Sequence, residues 1–181
     1  RFYDERDKSD LDPDENLGKP KLDPKNKYFP VVVSRGCPNR CVFCTSASSR
    51  VRFRSVDKVL DEIEDKIKVT GVRNVSFGGS SLTLSKRYVT ELCEGILARK
   101  LDLRWNCYSR VNIDIELLRL MRRAGLESVE VGLESGSPKV LKSICKNIKL
   151  EEVEAFCKLA HELGIKVWVF KGEVFANKGE Q

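Results

Sequence analysis

The stretch SRGCPNRCVFCTS, from Ser34 to Ser46, places Cys37, Cys41 and Cys44 within eight residues, in the pattern C-x3-C-x2-C. Thiols spaced so tightly in one loop suit metal ligation, and their number decides which metal. A structural zinc site closes its tetrahedron with four protein ligands, whereas a cubane iron-sulfur cluster can take three cysteines and leave one iron open. Cys93, Cys145 and Cys157 fall on helical stretches and Cys107 on a strand, with no C-x2-C spacing among them, so they read as small buried apolar residues. A zinc knuckle with a distant fourth ligand is the plain alternative for the three. The one histidine, His161, sits in a helix that the pattern places elsewhere.

The elements that must hold this loop are legible as a rhythm of apolar runs. Short runs at residues 29–33, 74–77, 103–109, 128–133 and 165–170 read as buried strands. Between them lie helical periods. Val56, Leu60, Ile63 and Ile67 form one apolar stripe, and Val89, Leu92, Ile96 and Leu97 the next. Asp114 is a suitable N-cap for a helix that turns Leu117, Leu118 and Met121 inward and stops at Gly125. Ser137 and Pro138 read as the cap and first turn of another helix, and Val153, Phe156, Ala160 and Leu163 line a last one ended by Gly164.

Strand and helix alternation at this spacing predicts an α/β fold with parallel strands, as a partial (β/α) barrel. In such sheets ligands gather at the carboxyl ends of the strands. There the sequence puts the cysteine loop after strand one, Gly78 to Ser81 after strand two, Ser109 and Arg110 after strand three, and Glu134 to Ser137 after strand four. A solvated surface gives no reason for odd residues to fall at the same end of successive strands, so their placement predicts one site.

Composition narrows the class. The chain has 181 residues, 41% apolar and 33% charged, which suits one domain with a real core. No stretch approaches a membrane span, and the N-terminal run lacks a signal-type apolar segment, so the reading is a cytoplasmic protein. An odd cysteine count of seven argues for reduced or metal-bound thiols over a disulfide framework. The 33 basic and 27 acidic residues alternate without a basic block, which argues against nucleic acid as a partner. Residues 1–27, charged and carrying Pro13, Pro20 and Pro24, read as an extended arm or linker before a core domain at 28–181. The chain starts at Arg1 without a methionine and ends in KGEQ just after a fifth strand, so it is expected to be a piece of something longer, with the barrel incomplete at its C-terminal end.

The cysteine loop, with Phe43 just before the last cysteine and an α/β pattern around it, resembles the radical S-adenosylmethionine (SAM) superfamily from about Phe29 to the end. The stretches RFRSVDKVLDEI, LRWNCYSRVNIDIELLRLMRRAGLESVEVGLESGS and VLKSICKNIKLEEV resemble the branch whose members often carry a cobalamin-binding domain. The resemblance implies that Cys37, Cys41 and Cys44 bind a [4Fe-4S] cluster whose fourth iron is chelated by the amino and carboxylate groups of SAM. One electron from a low-potential cluster would then break a carbon-sulfur bond, giving methionine and a 5'-deoxyadenosyl radical. Cluster potentials reach about −700 mV, the range such a step needs.

The resemblance also implies SAM contacts. Phe43 offers an apolar surface beside adenine, and Gly78, Gly79 and Ser80 stand where the superfamily often has a Gly-Gly-Glu-like segment for the SAM ammonium. Ser80 and Ser81 can accept from an ammonium but add no countercharge. Arg110 suits the SAM carboxylate and Glu134 suits ribose hydroxyls or the ammonium. No side chain is assigned a catalytic role. The tail departs from the branch: KGEVFANKGEQ is polar and lacks a Pro-Gly-Glu-Thr-like turn.

The expected function is reductive SAM cleavage by an oxygen-sensitive enzyme domain, serving a methyltransferase or a rearrangement enzyme when whole. Its partners would be a small-molecule substrate and an electron donor such as flavodoxin or ferredoxin. Cobalamin would need a domain outside these 181 residues, since no Asp-x-His-x-x-Gly-like loop occurs. Two rivals stand: a methylthiotransferase, which should carry further cluster cysteines and an RNA-binding end domain, and a zinc-binding interaction module.

Overall fold

The computed structural model describes residues 28–171. The expected arm at 1–27 and the polar tail from residue 172 lie outside the described residues. Five parallel strands form one sheet: β1 (Phe29–Val32), β4 (Asn74–Gly78), β5 (Arg104–Ser109), β6 (Leu126–Gly132) and β7 (Lys166–Phe170), side by side in that order. Helices make the crossovers: α1 (Val56–Thr70), α2 (Lys86–Ala98), α3 (Ile115–Arg123), and finally α4 (Pro138–Ser143) with α5 (Leu150–Glu162). Neighbours in sequence are thus neighbours in the sheet, the arrangement that right-handed crossovers give, and the α/β partial-barrel expectation holds.

Register explains the alternation along each strand. Val75, Trp105 and Leu126 pair across the sheet, as do Phe77, Cys107 and Val129, and all six are buried. These side chains meet the helices, where Leu60 and Ile63 of α1, Leu92 of α2, and Leu118 and Met121 of α3 are also buried. Trp105 anchors this layer: its ring packs edge-on to Phe77 at 5.2 Å, and its indole N–H donates to the Ala124 carbonyl at 2.8 Å. The opposite face carries polar residues, with Ser76 donating to Asn106 Oδ1 at 2.7 Å and Tyr108 level with Glu130.

Helix ends follow their caps. Asp114 Oδ1 accepts from Leu117 N at 2.9 Å at the start of α3, and Ser137 Oγ from Val140 N at 3.5 Å at the start of α4. Gly71, with φ +70°, closes α1 by donating to Ile67 O at 2.8 Å. The helix after the glycine turn starts at Lys86, capped by Ser85, and Leu82–Leu84 before it is a 3-10 turn that receives no side-chain cap from Ser81. One expectation needs correcting. Cys145 is not helical: α4 ends at Ser143, and Cys145 sits beyond it with φ +55°.

A further antiparallel pair, which apolar periodicity does not reveal, holds the cysteine loop. β2 (Ser34–Arg35) and β3 (Arg52–Phe53) pair two residues each, closing residues 36–51 into an excursion from the end of β1. Arg54 rivets this pair to the body of the fold. Its backbone N–H donates to Val33 O at 2.9 Å, and its Nη1 donates to Val32 O at 3.0 Å and to Glu62 Oε2 at 2.6 Å. Glu62 also accepts from Lys66 at 2.5 Å. Burial raises the Glu62 pKa, but the bonds from Lys66 and Arg54 outweigh it and hold the carboxyl below its ordinary 4.5.

A carboxyl depressed in the folded state stabilises the fold fully above its unfolded pKa and loses that contribution as pH falls through the folded value. Glu62→Gln is therefore expected to unfold earlier than the parent in denaturant at neutral pH. The gap should narrow as pH drops below about 4.5. Urea melts across pH check it, and a gap that stays constant into acid contradicts the linkage.

Candidate functional site

The carboxyl ends of the strands surround a cleft of about 280 Å³. Cys37, Cys41, Phe43 and Cys44 form one wall, Ser80 and Ser81 come from the end of β4, Arg110 from beyond β5, and Glu134 from beyond β6. The residues that the sequence placed at successive strand ends thus meet in space. Gly78 and Gly79 lie behind the serines. Gly79 has φ +134°, and a Cβ there would stand 2.6 Å from Ser34 Oγ, so glycine is what lets the turn pass the base of the cysteine loop.

The cysteine loop is tied to itself at both ends. Cys37 N donates to Ser49 Oγ at 3.0 Å, Ser49 N donates back to Cys37 O at 3.0 Å, and Ser48 N donates to Asn39 O at 2.7 Å. Gly36, with φ +83°, leaves no space for a side chain, since a Cβ would fall 1.9 Å from Arg50 O. The thiols have unlike surroundings: Cys41 is buried, Cys37 half-buried and Cys44 exposed.

The donor set fits a cluster. The wall of the cleft presents three cysteines, Cys37, Cys41 and Cys44. A structural zinc site closes with four protein ligands, whereas a cubane can take three cysteines and leave one iron open. Of the other cysteines, burial pushes the Cys93 thiol up to about 12 and Cys107 higher still, which keeps both as protonated core groups. Cys145 comes closest to the loop, its carbonyl accepting from Cys41 Sγ at 3.8 Å.

Sequence reading missed Lys146. Its ammonium lies 3.0 Å from Glu134 Oε1, and the two side chains are only 12% and 16% exposed. It also sits 5.9 Å from the centre of the Phe43 ring. Gly132 makes the space, because a Cβ there would come within 2.4 Å of Glu134 Oε1 and 2.9 Å of Lys146 Nζ. Arg110 holds the turn that carries Lys146, its Nη2 donating to Lys146 O at 2.8 Å and Asn147 O at 3.0 Å. From the other side Val42 N donates to Ile144 O at 3.1 Å, joining this turn to the cysteine loop.

A run of hydroxyls links β4 to β5: Ser81 Oγ is 3.4 Å from Thr83 Oγ1, which is 2.6 Å from Ser109 Oγ. Tyr108, also at the cleft, bonds Glu130, and this bond together with partial burial raises the phenol pKa above its ordinary value. Tyr108 also faces Phe170, with ring centres 6.4 Å apart.

The parallel strands, the three-thiol loop and the strand-end polar residues together match one enzyme class. A family model for the radical SAM superfamily fits residues 31–176, and the chain belongs to that superfamily, as an enzyme domain of α/β type. Over 139 residues it is 32% identical to an uncharacterized methyltransferase of Pyrococcus horikoshii, covering 75% of this chain and 30% of the other. Over 159 residues it is 31% identical to the bacteriochlorophyllide d C-12(1)-methyltransferase of Chlorobaculum tepidum, covering 83% of this chain and 34% of the other. Its fold also matches the radical SAM methyltransferase TsrM of Kitasatospora setae, solved with cobalamin and a [4Fe-4S] cluster bound. That match has a TM-score of 0.69 and 24% identity, over 78% of this chain and 30% of the other. The chain spans about a third of the length of the curated relatives it matches. Among the described residues no helix is long and apolar enough to cross a membrane.

Proposed function

We propose that Cys37, Cys41 and Cys44 ligate three irons of a [4Fe-4S] cluster, and that SAM occupies the cleft beside it for reductive cleavage. The observation that carries this reading is the shared cleft: three thiols, an aromatic ring, two serines and a partly buried ion pair line one space at the strand ends. When bound and reduced, the cluster supplies the electron that breaks the SAM carbon-sulfur bond.

The chain's own residues bind and orient. Ion pairs removed from water are poor stabilisers of a fold, because desolvation cancels most of their attraction. The Glu134–Lys146 pair is better explained by what it matches. The amino-acid end of SAM carries N–H donors and a carboxylate side by side, and a carboxylate next to an ammonium is their complement. In this reading Glu134 accepts from the SAM amino group and Lys146 donates to the SAM carboxylate. Arg110, the cation expected for that carboxylate, instead uses Nη2 to fix the turn bearing Lys146. Ser80 and Ser81 add uncharged acceptors from the glycine turn, and Phe43 offers its exposed face to adenine.

In the longer protein the domain would serve methyl transfer, or a rearrangement, on a small molecule. Cobalamin would come from a separate domain, and the electron from a flavodoxin- or ferredoxin-like donor in an anaerobic cytoplasm. The names of the relatives support methyl transfer as the first choice.

Replacing Cys37, Cys41 or Cys44 by alanine should abolish the brown chromophore of anaerobically reconstituted protein. Cys93→Ala, Cys107→Ala, Cys145→Ala and Cys157→Ala should keep it. Cys145→Ala is the most demanding control, since it is the one that adjoins the loop. Loss of colour there would mean a different ligand set.

Lys146→Met should weaken SAM about tenfold to a hundredfold, the effect of a charge-assisted bond of roughly 1.5 to 3 kcal/mol. Decarboxylated SAM should bind parent and variant alike, because it lacks the group that Lys146 is assigned to meet. Equal losses for both ligands, measured by anaerobic titration, would assign Lys146 a purely structural role.

A further inference from the structure

We infer that Asn39 sets the reduction potential of the cluster by donating a hydrogen bond to the sulfur of Cys37. The inference rests on the ligand assignment proposed above and concerns a residue that this assignment leaves without a role. Asn39 Nδ2 lies 3.2 Å from Cys37 Sγ. The contact is built into the loop. Asn39 O accepts from Ser48 N, while the backbone N–H and carbonyl of Cys37 are both bonded to Ser49. Both residues are therefore anchored on the adjacent pair Ser48 and Ser49, and Ser48 itself is held at φ +55°.

The other two sulfurs are treated differently. Cys41 Sγ points at the Cys145 carbonyl oxygen, 3.8 Å away. That oxygen can accept a hydrogen bond from a thiol but can only repel a thiolate. Cys44 is exposed at the rim of the cleft. Among the hydrogen bonds described for these three sulfurs, the Asn39 amide is the one in which a side chain donates to sulfur.

Hydrogen bonds to ligating sulfurs are one of the levers by which a protein tunes an iron-sulfur potential. Reduction adds one electron, supplied by a low-potential donor, and makes or breaks no bond. The added charge spreads onto the sulfurs, so an N–H donor stabilises the reduced state more than the oxidised one and raises the potential. Asn39 thereby brings the cluster within reach of its donor, while the carbonyl facing Cys41 pulls the other way. Asn39 is a tuning residue: it lines the cleft beside Cys37 and acts through the sulfur of that residue.

The test is an anaerobic redox titration of the reconstituted chain, followed by electron paramagnetic resonance, with iron and sulfide contents measured alongside. Asn39→Leu keeps the shape and removes the donor. Asn39→Asp removes the donor and adds a negative charge. Asn39→Leu should lower the potential by roughly 59 mV, a tenfold shift in the one-electron reduction equilibrium. Asn39→Asp should shift it at least as far, and iron and sulfide should match the parent. Potentials equal to the parent in both variants would overturn the inference. So would failure of both variants to assemble a cluster, which would make Asn39 a loop brace only. A parent chain that assembles no cluster would overturn the cysteine assignment itself.

Discussion

All five strands of the sheet run the same way, and the site depends on that constraint more than on any single bond. In a parallel sheet each strand delivers its following loop to the same edge, so residues far apart in sequence arrive together without long-range design. The register rows then sort each strand's side chains. One face is apolar and packs on the helices, and the polar residues at the strand ends are left to line a cleft. The cysteine loop is the one piece that has to be added, and a two-residue antiparallel pair riveted by Arg54 to Glu62 is enough to add it.

The electrostatics of the cleft follow from how its second wall is made. The turn after α4 has left-handed backbone at Cys145 and Asn147, and it is held from two directions, by Arg110 and by Val42. That places the Lys146 ammonium against Glu134 over Gly132. The cysteine loop, the end of β5 and the end of β6 are therefore braced by a single turn. A disturbance at any one of them reaches the others through a few hydrogen bonds.

Much of this was legible in the sequence because it rests on strong local signals. Three cysteines at C-x3-C-x2-C spacing, apolar runs of strand length and caps such as Asp114 and Ser137 need no tertiary context. What stayed hidden depended on backbone geometry that residue type does not announce. Cys145 and Asn147 adopt positive φ without being glycine, so Cys145 reads as helical and nothing in the sequence singles out Lys146. Arg110 lines the cleft, and what residue type does not announce is that its Nη2 also binds the carbonyls of Lys146 and Asn147. The β2–β3 pair escaped because two residues are too few for any period to show. Asn39 could be suspected only from its place between two cysteines, and its contact with Cys37 is a matter of geometry alone.

The account stands or falls on the metal that the three thiols hold. Anaerobic purification and reconstitution of the parent chain, followed by iron, acid-labile sulfide and zinc analysis, measures it directly. The account predicts about four irons and four sulfides per chain, a brown protein, and a spectrum of the reduced cluster that changes when SAM is added, as an open iron requires. A colourless protein with one zinc per chain and no sulfide would contradict it.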